Sequence, residues 1–162
     1  MPDTTGAEII ALLTERHWSI GVAESLTGGL LVAELIRIPG ASAVVRGGVV
    51  AYDTRIKHSV LGVDAQLLAA HGAVHPDVAA QMAAGVRVAL AADGEPTYIG
   101  ISSTGVAGPD PQDGQPVGTV FLGFAIGTEV HTTQLALSGS RDDIRKESVT
   151  RSLATLLELL RA

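Results

Sequence analysis

Apolar side chains recur at helical spacing at Ala7, Ile9, Ile10, Leu12 and Leu13, with Thr4 and Thr5 ahead as possible caps, and predict an amphipathic helix over residues 5–16. Residues 17–23 read as a first strand. The stretch 21–29, Gly-Val-Ala-Glu-Ser-Leu-Thr-Gly-Gly, carries the chain out of that strand, through a tight polar turn and into a helix over 28–36 that stops before Pro39-Gly40. Residues 43–52 are apolar and β-branched on both sides of Gly47-Gly48, which predicts a buried strand bent or bulged at the glycine pair. A short helical stretch carrying Lys57 follows, then a helix over 64–70 with Asp64 as N-cap.

Pro76 stands where a first helical residue belongs and opens a long Ala-rich helix over 76–92, which puts His75 at the cap. After a turn at 93–96, residues 97–103 form a strand, and 104–116 make the longest loop, too rich in Pro and Gly for a simple hairpin. Residues 117–126 and 129–137 are β-branched runs parted by Gly127-Thr128, a hairpin. Ser140 caps the last helix, whose buried stripe is Ile144, Val149, Leu153, Leu156, Leu157 and Leu160. Strands interleaved with helices predict a three-layer α/β/α sandwich, and the terminal hairpin makes its sheet mixed, though mostly parallel. The expectation is one domain over residues 1–162, with helices on both faces of the sheet.

Composition narrows the chemistry. An apolar fraction of 46% with 17% charge fits a compact chain, and aromatics at 3% leave an aliphatic core and no stacking platform for nucleic acid. A formal charge of −6 with no basic run argues against a nucleic-acid partner, while a small anionic ligand held by local groups remains open. There is no cysteine, so thiolate nucleophiles and disulfides are excluded. His58, His71 and His75 lack a metal-binding spacing, and no metal or other cofactor is expected. Residues 1–8 show no signal pattern and no apolar run reaches membrane-spanning length, so the expected location is cytoplasmic, with no membrane partner.

Ser25 and Thr27 fall at the mouth of a predicted helix, where free N–H groups favour a phosphate or an oxyanion. From this segment alone, capping the helix is the simpler role for either. Three other predicted strand or helix ends carry polar chemistry: Tyr52 with Lys57, Ser103 with Thr104, and Arg141. If the four converge they make one site. Lysines number only two, Lys57 and Lys146. A serine hydroxyl needs a base, and with no cysteine and no suitable histidine motif the candidate is a lysine of depressed pKa, with Tyr52 able to share or relay the proton. Gly28, Gly29 and Gly105 are positioned to offer N–H groups to an oxyanion or a phosphate.

Seven segments in order resemble the CinA C-terminal domain family: Ala-Glu-Ser-Leu-Thr-Gly-Gly at 23–29, Pro-Gly-Ala-Ser at 39–42, Gly-Gly-Val-Val-Ala-Tyr at 47–52, Leu-Gly-Val at 61–63, His-Gly-Ala-Val at 71–74, Thr-Gly-Val-Ala-Gly-Pro at 104–109 and Pro-Val-Gly-Thr-Val at 116–120. The resemblance spans nearly the whole chain. It implies a metal-independent amidohydrolase that converts nicotinamide mononucleotide and water into nicotinate mononucleotide and ammonia. It also implies Ser25 as nucleophile, Lys57 as base and Tyr52 assisting, with Thr27, Gly28, Gly29, Thr104, Gly105 and Arg141 lining the nucleotide pocket, in a homodimer or higher homo-oligomer. The alternatives are a competence-associated binding module and an amidohydrolase for a different amide. Many relatives carry a further N-terminal domain resembling molybdopterin-binding proteins, whereas this sequence starts directly on the amidohydrolase-like portion. Asp53-Thr54 stands where relatives often have Ser-Asn, His75 where a serine is usual, and 110–115 where their loop is richer in glycine.

Overall fold

A computed structural model describes residues 4–162, so the expectation for Met1 to Asp3 lies outside the described residues. The first helix, α1 (Thr4–Arg16), closes when Trp18 N donates to Leu13 O and His17 takes a left-handed φ of 56°. That closure delays the first strand, so β1 is Ile20–Glu24 rather than 17–23. Likewise α2 is Leu30–Ile36, because Gly28 and Gly29 have φ of 57° and 101° and cannot join a right-handed helix. A single 3-10 turn, Ala41–Ala43, precedes β2 (Val45–Val50). α3 (Thr54–Ser59) and α4 (Ala65–His71) follow, then α5 (Pro76–Ala89), β3 (Ile99–Gly105), β4 (Thr119–Ile126), β5 (Glu129–Ala136) and α6 (Arg141–Arg161).

The strands lie in the order β2-β1-β3-β4-β5. β1 pairs parallel with β2 and β3, while β4 runs antiparallel to both β3 and β5, so four strands share one direction and β4 alone opposes them. β2 is an edge strand with one half-exposed face, not the buried strand its apolar run suggested. Its register slips where Ile20 faces Val45 and Gly21 faces Gly47, which leaves Arg46 as the extra residue of a bulge beside the glycine pair. β3 runs two residues further than the sequence suggested, because Thr104 and Gly105 pair with Phe121 and Val120.

Alternation along the central strands separates two cores. Ile20, Val22, Ile99, Ile101, Val120, Leu122 and Phe124 face α1, α2 and α6 in the larger one. On the other face Ala23 joins Leu61, Val63, Leu68, Val78, Met82 and Val86. α6 buries the whole predicted stripe and adds Ser148 and Ser152, whose hydroxyls donate to the carbonyls of Ile144 and Ser148, both at 2.7 Å. Its start is a capping box of Ser140 and Asp143. His75 does cap α5, its Nδ1 accepting from Asp77 N.

α5 sits directly on the sheet through small residues. A Cβ on Gly100 would lie 1.9 Å from Ala83 O and one on Gly123 2.2 Å from Ala79 O, while one on Gly85 would lie 1.7 Å from Leu61 O in the connection between α3 and α4. Gly100→Ala is therefore expected to force α5 off the sheet and cost about 1–3 kcal/mol. Gly40→Ala, at φ of 89° with nothing within 4 Å, should cost only about 1 kcal/mol of backbone strain. Thermal melting of the two variants checks the order.

Candidate active site

Parallel neighbours bring the C-terminal ends of β1, β2 and β3 to one edge of the sheet, where ligands of open α/β sheets commonly bind. Two backbone bonds carry the pairing past the strands: Ser25 N donates to Ser103 O at 3.0 Å and Ala51 N to Glu24 O at 2.8 Å. Ser25 is thereby fixed at its φ side to β3. Below it, the hydroxyls of Thr27 and Ser103 share a buried hydrogen bond of 2.7 Å.

Lys57 projects back from α3 into this edge. Its Nζ lies 2.9 Å from Ser25 Oγ and donates to Ala51 O at 2.7 Å and, more weakly, to Tyr52 O at 3.5 Å. Only 1% of the residue is exposed, and no carboxylate contacts it among the described residues. Burial therefore pushes the ammonium down from 10.5 to about 8, a shift the charges of Asp53 and Asp113 only partly oppose. Asp53 caps α3 and is engaged by Arg55, which holds its carboxyl below the usual range. The result is a lysine able to exist as a free amine near neutral pH, in contact with a serine hydroxyl.

A cavity of about 200 Å³ opens above the pair, walled by Ser25, Leu26, Tyr52, Lys57, Thr104, Gly105, Ala107, Gly108, Asp110, Gln112 and Arg141 among others. Arg141, the first residue of α6, donates to Gly108 O and, at 3.1 Å, to Tyr52 Oη, which joins the long loop, the end of β2 and α6 at the mouth. Asp113 fastens the same loop from the other side by accepting from Ala73 N at 2.9 Å.

Six of the nine site residues expected from sequence thus share the cavity: Ser25, Lys57, Tyr52, Thr104, Gly105 and Arg141. Thr27, Gly28 and Gly29 do not line it. Thr27 spends its hydroxyl on Ser103, and Gly28 N donates to Ser25 O within the turn. The expected anion site at the start of α2 is also filled from within the chain. Glu24, wholly buried, accepts from Leu31 N at 2.8 Å and Val32 N at 3.1 Å, taking the N–H groups that an exogenous anion would need. Tyr52 Oη accepts from Arg141, and its carbonyl accepts from Lys57 Nζ. Thr104 gives its hydroxyl proton to Ala73 O at 2.7 Å.

Sequence reasoning missed Glu24, Asp113 and Arg145. Arg145 donates from Nε to Leu26 O at 2.8 Å and makes a longer contact from Nη2 to Thr27 O at 3.5 Å. Each acts on main-chain atoms, Asp113 and Arg145 on segments distant in sequence and Glu24 on the helix start seven and eight residues on, and such partners leave no mark in residue spacing. Among the described residues there is no cluster of three metal-ligating side chains, and no helix is long and apolar enough to cross a membrane.

Fold and site together define an α/β protein with a serine–lysine pair at the carboxyl ends of parallel strands. The profile of the CinA C-terminal domain matches residues 3–160, and the chain belongs to that family. It is 47% identical over 161 residues to a relative from Geobacillus kaustophilus named for competence-damage inducibility, covering 99% of this chain and 38% of that one. A CinA-like protein of Frankia casuarinae is 47% identical over 158 residues, covering 98% of this chain and 35% of the other. The chain thus spans little more than a third of the length of these curated relatives. The crystal structure of competence damage-inducible protein A from Klebsiella pneumoniae superposes with a TM-score of 0.90 at 34% identity, covering 97% of this chain and 95% of that one.

An ammonium kept out of water without a counter-ion costs stability. Its native pKa lies below the unfolded value, so the stability it withholds is restored only as pH rises from about 8 through 10.5. Lys57→Met should therefore melt higher than wild type at pH 7, by up to about 3 kcal/mol. That advantage should shrink across this pH window, as paired thermal melts at pH 7, 8.5 and 10 would show.

Proposed function

We propose that this chain is a serine amidohydrolase that removes the carboxamide nitrogen of nicotinamide mononucleotide, giving nicotinate mononucleotide and ammonia. The observation that carries the chemistry is the 2.9 Å contact between Ser25 Oγ and the buried, counter-ion-free Lys57 Nζ. The choice of substrate rests on the motifs shared with the CinA C-terminal domain family, and it suits a cavity with a guanidinium, Arg141, at its mouth and an unpaired carboxylate, Asp110, on its wall. A pyridinium ring and a phosphate need opposite charges in one pocket.

In the proposed reaction the Lys57 amine takes the Ser25 hydroxyl proton while Oγ bonds to the carboxamide carbon and the carbonyl π pair moves onto oxygen. The C–N bond then breaks as that oxygen re-forms the double bond, and the Lys57 ammonium returns the proton to the departing nitrogen, so ammonia leaves and a Ser25 ester remains. Water adds to the ester with Lys57 again accepting its proton, and collapse frees the carboxylic acid and the Ser25 hydroxyl. Substrate plus water equals product plus ammonia. Arg141 binds the anionic end of the nucleotide, and the backbone carbonyls of Ala51 and Tyr52 keep Nζ aimed at Oγ.

Ammonia release from nicotinamide mononucleotide should be abolished in Ser25→Ala and reduced at least a thousandfold in Lys57→Met. Because the base must be unprotonated, wild-type kcat/KM should climb about tenfold per pH unit below about 8 and level off above it. A folded wild type that binds the nucleotide without releasing ammonia would overturn the substrate. It would favour another amide, or the binding role suggested by relatives named for competence-damage inducibility.

A further inference from the structure

A serine nucleophile is only half of an acyl-transfer site, because the carbonyl oxygen under attack becomes an anion and needs donors fixed in advance. Gly28 and Gly29 do not supply them, since both lie off the cavity and the start of α2 is occupied by Glu24. Two other donors lie nearer. The backbone N–H groups of Leu26 and Thr27 have no acceptor among the described residues, although the two residues are only 4% and 0% exposed. Buried N–H groups without partners are rare, and a consecutive pair directly after a nucleophile is a place where a ligand oxygen completes the pairing.

The same peptides are held firmly from behind. Ser25 O accepts from Gly28 N at 3.1 Å and Leu26 O accepts from Arg145 Nε at 2.8 Å. In a trans peptide the N–H points opposite to the C=O, so pinning these two carbonyls aims the Leu26 and Thr27 N–H groups the other way. Leu26 belongs to the larger core and also reaches the cavity wall. Arg145 has no carboxylate partner among the described residues, and its guanidinium serves this turn alone.

The geometry points to the Leu26 N–H as the donor that receives the substrate's carbonyl oxygen, with Arg145 as the positioning residue that locks the turn from its far side. This rests on Ser25 being the nucleophile but not on the identity of the amide. When Ser25 Oγ adds to the carbon, the negative oxygen forms within reach of the Leu26 N–H. The proton lost from Oγ goes to Lys57, so no charge is left unpaired. Ground-state binding uses this donor less than the tetrahedral state does, and the effect belongs in kcat rather than KM.

A fluorophosphonate tests this without knowledge of the substrate, since it phosphonylates an activated serine while its P=O oxygen occupies the anion's place. The rate of Ser25 labelling would be followed by intact mass in wild type, Arg145→Met, Arg145→Lys and a semisynthetic chain in which the Leu26 amide is replaced by an ester, deleting that N–H alone. Labelling should slow about 100-fold in the ester chain. It should slow tenfold or more in Arg145→Met, with part of the rate restored in Arg145→Lys. The affinity for nicotinate mononucleotide should stay within threefold throughout. Ester-chain labelling within twofold of wild type would overturn the donor, and Arg145→Met labelling at the wild-type rate would overturn the positioning role. Equal losses in labelling and product affinity would reduce both to general structure. A wild type that is never labelled would overturn this inference together with the Ser25 nucleophile. One that is labelled but releases no ammonia from nicotinamide mononucleotide would overturn the substrate alone.

Discussion

A primary amine sealed from water with no carboxylate beside it is the constraint around which this protein is arranged. Lys57 carries a four-carbon stem and a charge that the interior does not tolerate well, and the chain answers with carbonyls rather than an opposite charge. A carboxylate at that point would hold the proton on the amine. Ala51 O and Tyr52 O give direction without that consequence, and both are available because β2 has just ended and its carbonyls no longer owe bonds to a neighbour. Position in the sheet, local backbone and proton affinity are thus one problem with one solution.

Helix α2 shows the opposite choice. Its start offers N–H groups of the kind many proteins lend to phosphates, and here a glutamate from the adjoining strand consumes them. Glu24 also closes the ladder to β2 through its carbonyl, so the residue before Ser25 is tied to a helix by its side chain and to the edge strand by its backbone. The serine turn is held on three sides, by Glu24, by Ser103 and by Arg145.

Much of this was readable in the amino-acid order, and the failures have physical causes. Apolar patterning and turn signals placed the six helices and five strands of the described residues, most plainly where one buried face alternates with polar positions, as along α1, α5 and α6. The ends shifted where backbone dihedrals intervened, at His17 and at Gly28-Gly29. β2 was misjudged because apolar content does not reveal whether a strand has a second neighbour. Within the site, the scarcity of lysine and the Ser25 turn pointed to the pair that meets in space. The anion-binding reading of the turn did not survive Glu24, which is an ordinary acid in the sequence and becomes a cap only once α2 folds back over β1. Arg145 and Asp113 were invisible for the same reason: both bond main-chain groups more than thirty residues away, and main-chain partners leave no trace in composition.

The contact of α5 with the sheet reaches beyond packing. Where Gly100 and Gly123 meet the carbonyls of Ala83 and Ala79, the missing Cβ atoms let helix backbone approach strand backbone directly, so the spacing of the two layers there is set mainly by main-chain geometry. Side-chain contacts can be retuned by small substitutions; a main-chain contact can only be kept or lost. Next to it, Ser102 and Thr104 tie β3 to Ala79 and Ala73, so the floor of the cavity inherits that fixed spacing. Drift in the outer shell of this protein can alter what enters the pocket, while the depth at which it meets Ser25 is held by a ruler that mutation cannot gradually lengthen.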